Sequence, residues 1–278
     1  MKLWVTEKQT PDLSLSMRTT KTLFSKRSNY QEILIVETPQ YGRVLLLDNK
    51  FQTTDIDEFI YHEMIAHVAL YSHPTPSKVL VIGGGDGGTV REVSKYQSVK
   101  HIELVEIDSD VVEASKKYFP HLSSGFSDPR CKIIIADGVE YIKNISSSYD
   151  IIIVDSTDPV GPAANLFTKD FYTAAYTSLN VDGIFVSQTE SPFLHMDFII
   201  KTNKTLSAIF PVVRLYTAPI PTYPSGFWSF TIGSKKYDPS APLKKGAINT
   251  RYYSPEIHKA SFALPRFLED AIRTSKAI

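Results

Sequence analysis

A single cysteine, Cys131, stands in 278 residues. An intramolecular disulfide is therefore excluded, and the absence of ligand-type spacing around it argues against a structural zinc site; a reducing compartment is expected. No charge dominates either. Thirty basic and thirty acidic residues cancel, so no global field draws the chain to nucleic acid or to an anionic membrane, and any charge selectivity must be local. No apolar run approaches a membrane span, and the opening MKLWVTEKQTPDL has no apolar signal-peptide core. The expectation is a cytoplasmic protein without membrane or nucleic-acid partners. Internal repeats and low-complexity segments are missing too. What remains is 42% hydrophobic and 22% charged, long enough for one large domain or a small domain joined to a larger one.

The first fifty-odd residues differ in texture from the rest. YQEILIVET, GRVLLLDN and FQTTDIDE are short β-rich runs separated by the turn residues of Pro39–Gly42 and Asp48–Lys50. A small antiparallel sheet ending near Thr54 is predicted there, which places a domain boundary at 1–55 against 56–278. DEFIYHEMIAHVALYS carries acids in its first turn and no Gly or Pro, and predicts a helix that stops before Pro74. From Lys78 onward, short apolar runs (79–82, 102–105, 133–135, 151–154, 184–186) alternate with helix-length segments. Buried strands alternating with helices predict an α/β, doubly wound, Rossmann-like parallel sheet. VVRLYTAPIP and GFWSFTIGS follow without an intervening helix and predict a closing antiparallel pair. SAPLKKGAINT reads as a surface loop, and the tail from Ser254 as one or two outer helices.

Glycine is sparse except in VIGGGDGGTV, where Gly83, Gly85 and Gly88 formally satisfy a G-x-G-x-x-G pattern. That pattern normally cradles a pyrophosphate, yet Asp86 sits at its centre, and an anion there would repel a phosphate. A P-loop is excluded because no Gly-Lys-Ser/Thr follows. A nucleoside without phosphate but with a cationic tail fits better, as in S-adenosyl sulfonium compounds. Ligands of open α/β sheets bind outside the carboxyl ends of the strands, and the first four predicted strands all reach acids there: Asp86, Glu106, Asp137 and Asp155. Singly, each acid is equally well explained as a helix cap, and Asp108 is read as one. Converging on one rim, Glu106 would hold ribose hydroxyls, Asp137 would accept from an adenine amino group, and Asp86 would face the cationic tail.

DSTDPVGPAANLF adds Asp155 and Asp158, held by a loop that Gly161 and Pro162 stiffen. The bland reading is an Asx-type turn before Pro159. Two carboxylates beside a sulfonium site suit an amine substrate, one binding an ammonium and one taking a proton. Tyr61 and His62 on the early helix would add polar contacts, although His62 also reads as an ordinary, partly exposed helix histidine. The aromatic IPTYPSGFW would line a slot for a methylene chain or pack in the core.

YHEM, VIGGGDGGTVREV, LVEID, ADG, DSTDPVGPA, LFTKDFY, QTES and IPTYPSGFWSFTIGSK together resemble the spermidine synthase family over nearly the whole chain. The resemblance implies a class I methyltransferase-like fold preceded by a small β domain, in homodimers or homotetramers. It implies transfer of an aminopropyl group from decarboxylated S-adenosylmethionine, as a co-substrate, to putrescine, with no cofactor and no metal. Position by position, it assigns Gln31, Gly84, Glu106, Asp137, Gly138 and Pro162 to the nucleoside and Asp86 to the aminopropyl ammonium. Tyr61, His62, Asp155, Asp158, Gln188 and Tyr223 fall to the polyamine, with Asp155 as proton acceptor. His62 departs from members that carry Gln. The alternatives at this level are an amine N-methyltransferase, an aminopropyltransferase with another acceptor, and a non-catalytic polyamine-binding protein.

Overall fold

The computed structural model describes residues 3–159, 161–243 and 248–276, the side chains of Pro162 and of 274–276 excepted. The N-terminal segment holds two antiparallel sheets rather than one. A hairpin of β1 (Leu3–Thr10) and β2 (Leu13–Thr19) lies beside a four-stranded meander of β3 (Lys21–Arg27), β4 (Glu32–Thr38), β5 (Gly42–Leu47) and β6 (Lys50–Thr54). The β4, β5 and β6 runs are those legible in the sequence. The first three strands were not read: β1 and β3 carry their few apolar residues side by side, and the alternation of β2 at Leu13, Leu15 and Met17 is short.

Helix α1 (Glu58–Tyr71) then leads into the large sheet. It is buried almost all round, so its polar side chains need partners inside the protein. Glu63 accepts backbone N–H groups from Arg251, Tyr252 and Tyr253 at 2.8 Å each, and His67 meets Glu92 at 2.9 Å. β7 (Lys78–Gly83), α2 (Gly88–Ser94), β8 (His101–Glu106), α3 (Ser109–Tyr118), β9 (Cys131–Ile135), α4 (Gly138–Ile142), β10 (Tyr149–Asp155), α5 (Lys169–Ser178) and β11 (Leu179–Gln188) supply the predicted alternation. After α6 (Met196–Ser207), strands β12 (Val212–Pro219) and β13 (Phe227–Ser234) form the antiparallel close. Helices α7 (Pro255–Ser261) and α8 (Arg266–Lys276) follow, and residues 244–247 of the predicted surface loop lie outside the described residues.

The seven strands run in the order β12-β13-β11-β10-β7-β8-β9. Along β7, Val79 and Val81 face one apolar core with α1 and Tyr216, while Leu80 and Ile82 face another with α5 and Phe210. Both faces being covered explains why these strands read as continuous apolar runs. Chain order reverses between β7 and β10, which pair in parallel and bring Gly83 opposite Asp155. That reversal opens the crevice where a ligand sits in sheets of this kind. Among the described residues, no helix is long and apolar enough to cross a membrane.

Candidate active site

A cavity of about 440 Å³ opens at the carboxyl ends of β7, β8 and β10 and is walled on its other side by residues of the N-terminal strands. Gln31, Tyr61, His62, Gly84, Asp86, Glu106, Asp137, Gly138, Asp155, Asp158, Gln188 and Tyr223 all line it. The side chain of Pro162 lies outside the described residues.

At one end, Glu106 closes β8 and is buried. Its Oε1 accepts the Asp108 N–H at 2.9 Å, and burial pushes its carboxyl up to about 7. Asp108 caps α3 as expected and also receives Gln31 Nε2 at 3.0 Å and the Ser28 hydroxyl at 2.6 Å on Oδ2. This acid therefore ties the N-terminal domain to the rim. Asp137 is a helix cap as well, its Oδ1 accepting the Val139 N–H at 2.7 Å. The capping and ligand readings are compatible, because a carboxylate has more acceptor sites than one cap uses.

The glycines of the loop leave room for charged side chains. A Cβ on Gly88 would fall 2.3 Å from the His62 ring, and one on Gly84 would fall 2.7 Å from Asp155 Oδ2. Gly84 also has φ +72°, which a side chain would strain. Asp86 is held from two sides: its Oδ1 accepts the Gly88 N–H at 2.9 Å, and its Oδ2 lies 3.2 Å from His62 Nε2. The first cationic partner of Asp86 is thus a protein group. His62 is not the partly exposed histidine of the sequence reading. It is buried, with Nδ1 2.6 Å from Glu58. Burial opposes its charge, but Asp86 and Glu58 hold it well above the usual histidine range, as an imidazolium. Burial would likewise raise Glu58, yet His62 and the Arg91 fork, at 2.9 Å on each oxygen, pull it down to about 2.

Asp155, at the end of β10, accepts the Thr89 hydroxyl at 2.7 Å and lies within hydrogen-bond reach of Tyr61. Burial, then the charge of Asp86, raises its carboxyl above the usual range. It is thus an acid-end group poised to keep a proton once it has taken one. His62, Asp86 and Asp155 come within 4.8 Å of one another, a spacing that a metal ion also favours. Both nitrogens of His62 already face carboxylates, and an imidazolium has no lone pair to give a metal. The donor set therefore does not fit one. Tyr61, Tyr223 and Trp228 form an aromatic wall of tilted and edge-on rings, with centroids 5.4 and 4.8 Å apart, and burial holds both phenols neutral.

Asp158 is not a twin of Asp155. It turns toward the N-terminal domain, with Oδ2 3.9 Å from Lys50. Gln188 lies behind the acid loop: its Nε2 reaches the Thr157 carbonyl at 3.4 Å, and its Oε1 accepts the Glu190 N–H at 2.9 Å. Sequence reading missed Glu7, Lys50, Thr89 and Glu190, whereas Trp228 closes the aromatic run it offered as a slot wall. An acid two residues beyond Gln188 at a strand end was a usable signal for Glu190. Glu7 had none, because its strand was itself illegible.

The comparisons agree with this geometry. A family model described as the spermine/spermidine synthase domain matches residues 58–245, and one described as the spermidine synthase tetramerisation domain matches residues 3–55. The polyamine aminopropyltransferase of Caldicellulosiruptor saccharolyticus is 53% identical, covering 98% of this chain and 99% of its own. That of Bacillus subtilis is 49% identical, with the same coverage of 98% and 99%. A crystal structure of spermidine synthase in complex with the transition state analogue AdoDATO matches with a TM-score of 0.93 at 43% identity, over 98% of this chain and 95% of that one. The spermidine synthase of Thermotoga maritima matches with a TM-score of 0.92 at 42% identity, over 98% and 94%. With a matching fold, a matching oligomerisation segment and acids gathered at the switch point, the chain belongs to the spermine/spermidine synthase family.

Proposed function

We infer that this protein is a spermidine synthase, moving the aminopropyl group of decarboxylated S-adenosylmethionine to putrescine and releasing methylthioadenosine. Glu106 accepts from the ribose hydroxyls and Asp137 from the adenine amino group, with Gln31, Gly84, Gly138 and Pro162 shaping the nucleoside pocket. Asp86 holds the donor ammonium beside the imidazolium of His62. The acceptor arrives as an alkylammonium with a pKa of roughly 10, which has no lone pair for attack. Asp155 takes one proton from it. The freed nitrogen attacks the methylene carbon next to sulfur; the C–S bond breaks, its electron pair stays on sulfur, and the neutral thioether leaves without an acid. Placing nitrogen, carbon and sulfur in line supplies much of the rest. The methylene chain of the acceptor lies along Tyr61 and Tyr223, with Asp158 and Gln188 beyond. The reading uses no cofactor and no metal; the nucleoside is a co-substrate.

The observation that carries this reading is Asp155, partly buried beside a second carboxylate with its proton affinity raised, in the same cavity as a nucleoside-type acid rim. Its test is mass spectrometry of products from purified protein. Decarboxylated S-adenosylmethionine with putrescine is expected to yield spermidine and methylthioadenosine in equal amounts. A methylated amine formed from S-adenosylmethionine instead would overturn it, as would nucleoside binding without turnover. We further propose a cytoplasmic homodimer or homotetramer, with residues 1–55 as the assembly domain and 56–278 as the catalytic one. Leu3, Trp4 and Leu13 on the first hairpin are 60, 58 and 45% exposed, as an assembly surface requires.

A further inference from the structure

The far end of the slot carries, beside Asp158, an acid and a lysine that the chemistry above does not use. Glu7 of β1 and Lys50 of β6 line the same cavity as Asp158. Lys50 Nζ stands 3.5 Å from Glu7 Oε1 and 3.9 Å from Asp158 Oδ2, and it donates to the Lys8 carbonyl at 2.9 Å. The carbonyl bond fixes where the ammonium stands. Glu7 is 2% exposed and also accepts the Phe51 N–H at 2.9 Å.

Glu190, two residues beyond the end of β11, lies behind Asp158 and is likewise 2% exposed. Neither of its carboxylate oxygens meets a hydrogen-bond geometry, although His195 Nδ1 lies 3.2 Å away. Its backbone holds φ +69°, pinned by the Gln188 Oε1 bond to its N–H and by Ser229 donating to its carbonyl from N–H and Oγ, at 3.0 and 2.9 Å. A strained backbone thus holds a buried acid against His195 and Asp158. The labour divides accordingly. Lys50 stands nearer Glu7 than Asp158, which leaves Asp158, in the cavity wall, as the acid for one distal ammonium.

We propose that Lys50 is a specificity-determining residue of the acceptor slot: its ammonium stands where a longer acceptor would place a further cation, so the slot takes a linear diamine and disfavours a linear triamine. The inference rests on the aminopropyl-transfer reading above. A third nitrogen, three or four carbons beyond the ammonium at Asp158, meets a like charge that the Lys8 carbonyl holds in place. Lys50 is about one-third exposed, so solvent screens part of the repulsion. The residual selectivity is expected to be on the order of tenfold.

The test compares kcat/KM for putrescine and for spermidine as acceptors in the wild type, Lys50→Met and Lys50→Arg, with products identified by mass spectrometry. Lys50→Met keeps a stem of similar length and removes the charge. Its spermidine-to-putrescine ratio should rise about tenfold, while Lys50→Arg keeps the wild-type ratio. Methylthioadenosine affinity and thermal unfolding midpoint serve as controls for folding. A ratio in Lys50→Met within twofold of wild type would overturn the proposal, and so would an equal rise in Lys50→Arg. Failure of the wild type to turn over putrescine would instead overturn the reading beneath it, so the two failures are separable.

Discussion

S-Adenosylmethionine differs from its decarboxylated form by one carboxylate, on the carbon that bears the ammonium. If Asp86 holds that ammonium, the extra carboxylate comes to about 4 Å from a like charge, where the repulsion at an effective dielectric of about 20 is roughly 4 kcal/mol. Two features of the site reduce it. The Asp86 side chain is 12% exposed, and the His62 imidazolium 3.2 Å away attracts the same carboxylate. A net preference for the decarboxylated compound of roughly 1.5–2.5 kcal/mol remains, or about tenfold to seventyfold. Asp86→Asn is the informative variant, because the amide Oδ1 still accepts the Gly88 N–H while the charge is gone. Gly at that position would lose the bond too. Paired calorimetric titrations of both compounds on both proteins measure the effect. In Asp86→Asn the ratio of affinities should fall toward one, with the decarboxylated compound losing most. An unchanged ratio would show that Asp86 only closes the turn before α2.

Three further outcomes follow from the same geometry. Asp155→Asn should fold normally, since the amide still accepts from Thr89, and lose about a hundredfold to ten-thousandfold in turnover; near-normal turnover would remove Asp155 from the base role. Gly84→Ala would place a Cβ 2.7 Å from Asp155 Oδ2 at φ +72° and should cost on the order of a hundredfold in kcat/KM; wild-type kinetics would mean that the loop is not what holds Asp155. Glu106 accepts ribose hydroxyls best when ionised, and its value of about 7 leaves it largely protonated at pH 6. Methylthioadenosine affinity should therefore rise between pH 6 and 8, and calorimetry showing no pH dependence would sink the ribose assignment. For the ligand-free fold the sign is opposite. The folded state binds more protons than the unfolded one between the ordinary value of 4.5 and about 7, so this group's contribution to stability declines as pH rises through that window.

The doubly wound sheet was legible because β7 and β10 and the inner parts of β8 and β11 are buried on both faces and therefore mostly apolar, with Glu103 the one acid inside the run of β8. The acids at their carboxyl ends were legible for a related reason: a charge breaks an apolar run just where the strand leaves the core. Asp86 was the most telling single residue, since a carboxylate in a glycine loop excludes a phosphate by charge alone. β1 and β3 escaped notice because their few apolar residues stand side by side and mark no period of two, and the alternation of β2 at Leu13, Leu15 and Met17 was overlooked.

Packing decided the rest. His62 is an imidazolium because Glu58, four residues earlier on α1, and Asp86, from another element, close on both of its nitrogens. The spacing to Glu58 can be read along a helix, but the approach of Asp86 cannot. Asp155 and Asp158 are three residues apart, yet one accepts from Thr89 beside the glycine loop and the other faces Lys50. Only the turn of the loop separates their tasks. Glu7, Lys50 and Asp158 come from β1, β6 and the loop after β10 and meet at the end of one slot. Charges from distant segments interact over a few ångströms once the fold has brought them together, and linear order carries no record of that distance.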